Sequence, residues 1–150
     1  MNAVTVDFRD IDEPAWLGKA EDFALEALKL LGVDAWDLSL LFCGDSFIAA
    51  LNGEYRHKEG PTDVLSFEQR EWYDAGSEKR FLAGDIVISL DALGRNADDF
   101  NVSAGDELKR LIVHGILHLS GLDHVGTDPA EPMLAEQEKM LQTLAEERIL

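Results

Sequence analysis

Three histidines in one short segment constrain this chain more than any other feature. The segment reads His-Gly-Ile-Leu-His-Leu-Ser-Gly-Leu-Asp-His and runs from His114 to His124. Residues four apart lie on one face of a helix, so His114 and His118 can direct their imidazoles towards a common point. Gly121 lets the backbone leave the helix in a conformation that is costly for other residues. The segment therefore predicts a helix, a tight turn and a third imidazole, that of His124, returning to the first two.

Converging imidazoles of this kind are typical of a catalytic metal site. Single histidines on apolar helices are usually packing residues, but three of the chain's four histidines lie here at ligand spacing. Three neutral ligands leave a divalent ion its full charge and a fourth position for water or substrate, whereas structural zinc sites are usually closed by four protein ligands. Imidazole favours Zn²⁺, one per chain, with nickel, iron or copper as alternatives. We predict that the three histidines bind one catalytic metal ion.

The spacing His-x-x-x-His-x-x-Gly-x-x-His is that of the extended zincin motif, with one difference. Gly115 stands where zincins have the glutamate that moves a proton during peptide hydrolysis. A metal can lower the pKa of bound water to about 7 without that glutamate, so hydrolysis in general is still possible. The missing carboxylate argues against a peptidase.

Phosphodiester cleavage depends more on stabilising charge around phosphorus, which a metal beside an arginine provides. Arg56 is the candidate arginine, in a polar segment ahead of the third predicted strand. From composition alone, an ordinary exposed loop arginine is an equally good interpretation.

The pattern of apolar residues predicts an α+β fold in one domain that spans residues 1–150. Apolar alternation predicts four strands, at Ala3–Phe8, Trp36–Cys43, 62–67 and 84–89. Spacing and capping residues predict helices from Pro14 to Gly32, from a cap at Asp45 to Gly53, over 91–99, from a cap at Ser103 to Gly121, and over 131–148. The polar segments 54–61 and 68–80 are predicted to be exposed loops. This order implies a small mixed four-stranded sheet packed with helices and carrying a zincin-like three-histidine site.

Composition and charge narrow the class of protein further. Hydrophobic residues make up 46% of the chain, and no apolar run approaches the roughly 18 residues of a membrane span. The N-terminus carries no basic leader with an apolar core, so the cytoplasm is the expected location and no membrane partner is expected. The net charge of −17 opposes non-specific binding to polyanions, and no DNA partner is expected. Cys43, the one cysteine, is predicted to be a buried structural thiol.

Four motifs follow one another along the chain: Leu-Asn at 51–52 with Tyr-Arg at 55–56, Pro-Thr-Asp-Val-Leu-Ser-Phe at 61–67, Gly-Asp-Ile at 84–86 with Ser at 89, and the three-histidine segment. In this order they resemble the motifs of the YbeY family of bacterial metal-dependent endoribonucleases. Together they cover most of the chain. Two positions depart from the family pattern: Glu68 stands where proline is common, and Leu122 where an aromatic residue is common. Both lie outside the ligand set, so they bear on loop shape and substrate contacts rather than on the metal.

The resemblance implies a cytoplasmic, zinc-associated endoribonuclease, specific for single-stranded RNA, that matures ribosomal RNA of the small subunit and acts in ribosome quality control. It implies metal-ligand roles for the three histidines. Arg56 corresponds to a functional arginine near the metal that can contact phosphate. Asp63, Ser66 and Asp85 fall in family motifs but are interpreted as loop, cap or supporting residues rather than catalytic ones. The strong acidity suggests that ribosomal proteins of the small subunit supply part of the RNA affinity.

Two functions of other classes stay open at this point. A metal-dependent peptidase of zincin type fits the histidine spacing but lacks the glutamate. A non-catalytic ribosome assembly factor fits the family without requiring turnover. The first is tested by comparing cleavage of a peptide with cleavage of RNA by the metal-loaded protein. The second is tested by asking whether a variant of a metal-ligand histidine still associates with ribosomes and supports rRNA maturation.

Overall fold

Strands and helices alternate along the computed structural model, which describes residues 1–150. The strands are β1 (Ala3–Phe8), β2 (Trp36–Cys43), β3 (Val64–Ala75) and β4 (Glu78–Ser89). The helices are α1 (Leu17–Leu31), α2 (Asp45–Arg56), α3 (Leu90–Phe100), α4 (Ala104–Leu119) and α5 (Pro132–Thr143). None of the helices combines the length and the apolarity that a bilayer crossing requires. The predicted α+β class is confirmed.

The four strands form one mixed sheet in the order β1-β2-β4-β3. The pairs β1 with β2 and β2 with β4 are parallel, whereas β3 runs antiparallel to β4. Parallel neighbours need crossover connections, and α1 supplies the one between β1 and β2. This topology leaves β1 and β3 as the edge strands, and β3 is the edge that adjoins the histidine segment.

The main core lies on one face of the sheet, where α1 and α4 pack. Alternate residues of a strand point to opposite faces, and Leu40 and Phe42 of β2 join Ile86 and Ile88 of β4 on the face that the two helices cover. The side chains of α4 are buried along most of its length, as the broad apolar surface of its sequence predicts. The helix that carries the first two histidines is therefore fixed rigidly to the sheet.

On the opposite face of the sheet, α2 covers one end. Ile48 of this helix packs with Cys43, Leu65 and Val87 in a smaller apolar cluster. The thiol of Cys43 is fully buried, and burial raises its pKa to about 11. The predicted burial of this thiol is confirmed, and a buried thiol with a raised pKa forms little of the reactive thiolate.

The predicted loop over 68–80 is wrong. β3 and β4 continue through this segment as a long antiparallel hairpin closed by Gly76 and Ser77. Gly76 has φ +69°, and a two-residue loop with glycine first is a favoured hairpin turn. A β-bulge interrupts the ladder between Glu68 and Glu71. The hairpin arm beyond this bulge is mostly exposed, so its sequence lacks the apolar alternation that marks a half-buried strand.

Helix α1 begins at Leu17, after the predicted first position at Pro14, and Trp16 stands at its N-cap. Its predicted end is confirmed, since Gly32 adopts a left-handed conformation with φ +83°.

Helix α5 is shorter than predicted and ends at Thr143. The Nζ of Lys109 donates to three carbonyls just beyond that point, those of Leu144, Ala145 and Glu147. In a longer helix these carbonyls would accept backbone hydrogen bonds from the following turn. Here the ammonium group of Lys109 satisfies them instead.

The predicted bounds of α2 are also wrong, because the helix passes Gly53 and ends at Arg56. His57 supplies the left-handed exit with φ +55°. A glycine inside a helix costs only about 1 kcal/mol, which packing of α2 on the sheet outweighs. Asp45 is not the N-cap; its carboxylate instead accepts hydrogen bonds from Ser89 and Arg95.

Candidate metal centre

Helix α4 presents His114 and His118 on one face, next to β3. Ser103 caps the helix as predicted, its Oγ accepting the backbone N–H of Asp106 at 3.0 Å. The Nε2 atoms of the two histidines lie 3.1 Å apart. The helix pitch alone produces this chelating pair.

The turn after α4 returns His124 to the same point. Gly121 has φ +99°, and its backbone N–H donates to the carbonyl of His118 at 2.9 Å. One ring nitrogen from each of the three histidines lies within 4.8 Å of the others. Tetrahedral ligands about 2.0–2.1 Å from a zinc ion stand roughly 3.3 Å apart, so small side-chain rotations suffice. The three-histidine group could hold a metal ion.

Each imidazole also meets an oxygen through Nδ1, on the side away from the cluster. The Nδ1 of His114 lies 2.7 Å from Oε1 of Gln137, and that of His124 lies 2.7 Å from the carbonyl of Gly126. The Nδ1 of His118 lies 3.8 Å from a carboxylate oxygen of Asp123. The hydrogen bonds of His114 and His124 hold the Nδ1–H tautomer and leave Nε2 unprotonated, which is the form that binds metal, whereas the His118 contact is too long for a hydrogen bond.

Burial favours the same neutral state. Removal from solvent is the main cause that lowers the pKa of His114 and of His118 below the usual histidine value. Both rings are thus neutral at physiological pH, as metal ligands must be.

A cavity of about 180 Å³ opens beside the first two histidines. Its other wall is β3, from which the alternate residues Val64, Ser66 and Glu68 face α4. The Oγ of Ser66 is buried and has no hydrogen-bond partner. Glu68, at a position where the sequence departs from the family pattern, therefore lies in the cavity itself rather than in a remote loop.

Arg56 lines the same cavity. It lies in the last turn of α2, not in the predicted loop, and its Nη2 donates to the carbonyl of Ser66 at 2.8 Å. Edge strand β3 has no neighbour on its outer side, so this carbonyl is open to a side chain that reaches around the edge. The structure thus brings Arg56 together with His114 and His118.

Two of the motif residues lie elsewhere. Asp63 accepts from Asn96 at 2.9 Å and lies 3.6 Å from Arg110. Asp85 accepts from Ser39 at 2.5 Å on the opposite face of the sheet. Both carboxylates support loops and strands, in agreement with their interpretation as supporting residues.

Gly115 occupies the position of the zincin glutamate, and it faces the sheet. A Cβ on this residue would lie 2.8 Å from Cγ2 of Ile86 and 2.9 Å from its Cδ1. Helix α4 thus packs too closely on β4 to leave room for a glutamate side chain at this position.

Comparison with known proteins identifies the family. The model of the family described as endoribonuclease YbeY matches residues 4–145. The chain belongs to the YbeY family. A relative from Treponema denticola named endoribonuclease YbeY is 53% identical over 143 residues, covering 93% of this chain and 92% of the relative. A relative of the same name from Treponema pallidum is 44% identical over 142 residues, covering 94% and 89%.

A solved structure shows the same fold at lower identity. The solution structure of TM1509 from Thermotoga maritima aligns with a TM-score of 0.65 and 24% identity, covering 95% of this chain and 90% of that one. The family resemblance inferred from the motifs is confirmed by the family model and by the two relatives.

One functional candidate in this YbeY family member escaped sequence reasoning. Gln137 of α5 contacts His114 only because α5 packs on α4. Nothing in its local sequence marks it, since a glutamine in a polar helix is ordinary.

Proposed function

We propose that the chain is a metal-dependent endoribonuclease of single-stranded RNA, with residues 1–150 as one metallohydrolase domain. The observation that carries the proposal is that Arg56, which has no carboxylate partner, lines one cavity with His114 and His118, and that His124 completes the three-histidine group beside it. The name of the YbeY relatives, endoribonuclease, supports the same activity.

His114, His118 and His124 are the proposed ligands, and Zn²⁺, one per chain, is the proposed ion. Three nitrogen donors suit zinc, although another divalent transition metal fits the same set. When bound, the ion supplies positive charge to a phosphate oxygen and lowers the pKa of a coordinated water.

Arg56 is the proposed catalytic arginine. Its guanidinium can donate two parallel hydrogen bonds to phosphate oxygens, which a lysine cannot do. Its bond to the Ser66 carbonyl fixes the group at the cavity rim before substrate arrives. Positive charge placed in advance where negative charge develops lowers the barrier without further reorganisation.

Ribosomal RNA of the small subunit is the proposed substrate, in the cytoplasm, with a role in ribosome quality control. The net charge of −17 repels long polyanions, so ribosomal proteins are proposed to contribute to docking. DNA and membranes are not expected partners.

A zincin-type peptidase is less well supported. The close packing of Gly115 on Ile86 leaves no room for the carboxylate that peptide hydrolysis uses in zincins. A non-catalytic assembly factor is consistent with membership of the family. It gives no reason for an arginine without a carboxylate partner to lie beside three potential metal ligands.

The test compares the wild-type chain, His118→Ala and His57→Asn after loading with zinc. His57 is the one histidine outside the cluster, and asparagine suits its left-handed conformation. We expect about one zinc per wild-type chain and cleavage of single-stranded RNA but not of peptide. His118→Ala should lose most of its zinc and its cleavage, and His57→Asn should keep both.

Cleavage of peptide instead of RNA would replace the proposal by the peptidase. A His118→Ala variant that cuts no RNA but still associates with ribosomes and supports rRNA maturation would favour the assembly factor.

A further inference from the structure

The β-bulge in β3 directs Arg70 towards the histidine turn. Gln69 and Arg70 occupy the bulge, where the register passes from Glu68 opposite Gly84 to Glu71 opposite Leu82. Arg70 has φ +53°, a left-handed conformation that non-glycine residues rarely adopt. Bulges commonly change the direction of a side chain next to a functional site.

The guanidinium of Arg70 lies against Gly121, the glycine of the turn that connects His118 to His124 in the sequence. A Cβ at Gly121 would collide with Nη1 of Arg70 and would lie 3.1 Å from its Cζ. The glycine thus serves two purposes, because it permits the left-handed turn and leaves the space that the guanidinium occupies.

The Arg70 side chain makes no hydrogen bond or ion pair within the protein. By contrast, Arg80, Arg95 and Arg110 each bind a carboxylate within 2.8 Å. In a chain of net charge −17, an exposed arginine held beside the candidate metal centre without a carboxylate partner is available to an external anion.

Trp72 continues this surface along the same strand. It pairs with Phe81, which belongs to the core on the α4 side, and the two rings lie 5.0 Å apart. One side of the indole is therefore supported, while 61% of the residue is exposed. The other two tryptophans, Trp16 and Trp36, are half-buried and buried. An exposed indole beside an unpaired arginine is the pair of groups that binds single-stranded nucleic acid, by stacking and by charge.

We propose that Arg70 and Trp72 form an extension of the RNA-binding site, in which Arg70 binds a backbone phosphate and Trp72 stacks on a base. The RNA would run along the edge strand β3. It would start at Arg56, which is bound to the Ser66 carbonyl, pass the three histidines and end at the hairpin arm. Ser66 and Arg70 are roughly 13 Å apart at the rise of a strand, so the path spans several nucleotides. The inference rests on the proposed function for the identity of the ligand.

The test measures binding rather than cleavage. The metal-free full-length chain is titrated into a labelled oligouridine at several salt concentrations, so that the RNA stays intact. Arg70→Ala should weaken binding and reduce the slope of log affinity against log salt by about 0.7, the value for one phosphate contact on a single strand. Arg148→Ala removes the same charge from an exposed arginine at the far end of the chain and should leave the slope unchanged.

Trp72→Leu tests the stacking contact while keeping an apolar cover over Phe81. Loss of one base–aromatic stack should weaken binding roughly 5- to 100-fold. In the wild type, RNA should also protect tryptophan fluorescence from acrylamide, because Trp72 is the exposed tryptophan. Unchanged melting temperatures of the variants confirm that the fold is intact, and Arg70→Lys, which keeps the charge, should retain the wild-type salt slope.

The two levels of the proposal fail in different ways. If Arg70→Ala and Trp72→Leu bind like Arg148→Ala while the zinc-loaded wild type cleaves RNA, the extension is wrong and the proposed function stands. If the variants weaken binding but the wild type never cleaves, the surface binds RNA and the endoribonuclease proposal is wrong. Absence of RNA binding by the metal-free wild type, together with absence of RNA cleavage by the zinc-loaded wild type, would overturn both.

Discussion

Arg56 has no acidic partner in a chain whose acidic residues outnumber its basic ones by 30 to 13. Its one hydrogen bond, to the Ser66 carbonyl, leaves the rest of the guanidinium free towards the cavity. A structural arginine in such a chain would be expected to find a carboxylate, as Arg80 does with Asp37. This residue is therefore available for function rather than needed for the fold.

Substitution of Arg56 should affect chemistry and not folding. Arg56→Lys should retain little activity, because a point charge cannot replace two parallel hydrogen bonds. Its rate of single-turnover cleavage should fall on the order of 10²–10³-fold below the wild-type rate. Arg56→Glu should be slower still. Zinc content and melting temperature are measured in parallel and should stay at wild-type values. Normal cleavage by both variants would remove Arg56 from the mechanism, and a matching loss of melting temperature would make it structural.

Gln137 should control metal affinity through His114. Gln137→Leu leaves the Nδ1–H of a buried imidazole without its acceptor, and loss of such a partner typically costs 10- to 100-fold in metal affinity. Competition with a chromogenic zinc chelator measures the change. Gln142→Leu, on an exposed position of the same helix, is the matched control and should bind zinc normally. Equal affinities for the two variants would show that the Gln137 contact is incidental.

The sequence predicted the three-histidine cluster because its geometry is local. Helix pitch relates His114 to His118, and one glycine turn relates both to His124, so no tertiary information is required. Gln137 and Arg70 could not be found in this way, because their positions depend on helix packing and on a bulge. The place of Arg56 was inferred only from the family resemblance, and its helical setting was missed.

At the scale of elements, α4 and β4 pack closely against each other at Gly115. Gly115→Ala would place a methyl group within 3.0 Å of three atoms of Ile86, a buried side chain with little room to move. Overpacking of this kind costs about 1–3 kcal/mol, which should exceed the gain of about 1 kcal/mol from replacing a helical glycine. Urea unfolding should therefore show a net loss of stability.

Gly94→Ala is the control for that experiment. Gly94 lies inside α3 with no neighbour within 4 Å of an added Cβ, so the same substitution should stabilise the protein by up to about 1 kcal/mol. Combining Gly115→Ala with Ile86→Ala should cost less than the sum of the two changes, since the clash is removed. Stabilisation by Gly115→Ala alone would contradict the packing explanation for the missing glutamate.

The long hairpin shows where element prediction failed and why. Strands whose two faces differ in exposure were identified, because apolar residues alternate along them. The β3 residues of the arm beyond the bulge are exposed on both faces and carry no such pattern. The usable signal was Gly76-Ser77, a two-residue turn between segments with Trp72, Tyr73 and Phe81, which are residues typical of strands.

At the scale of the whole molecule, the buried histidines should make the metal-free protein sensitive to mild acid. The pKa values of His114 and His118 are lowered in the folded state, mainly by burial. Below about pH 6.5 the two imidazoles therefore bind protons in the unfolded chain but stay neutral in the folded chain. The free energy of unfolding then falls as the pH falls. The part of this loss that comes from the two histidines begins near about pH 6.5 and ends once the pH is below their lowered pKa values.

Urea unfolding of the metal-free chain between about pH 7.5 and about pH 5.5 measures this effect. His114→Gln, which cannot be protonated, should lose less stability over that interval than the wild type. An identical pH dependence for the two proteins would mean that burial of this imidazole does not contribute.

The two-residue turn at Gly76 also has a consequence for the order of folding. Closing so short a loop has a low entropic cost, and hairpins form within microseconds, whereas the parallel pairing of β1 with β2 must bridge all of α1. We expect β3 and β4 to belong to the folding nucleus. Gly76→Ala, strained at φ +69°, should then mainly slow refolding, and Leu28→Ala in α1 should mainly accelerate unfolding. Stopped-flow kinetics that reversed this pattern would place the nucleus elsewhere. Because β3 is one wall of the cavity and α4 the other, the cavity beside the three histidines would be completed by the docking of an already formed hairpin on its helix.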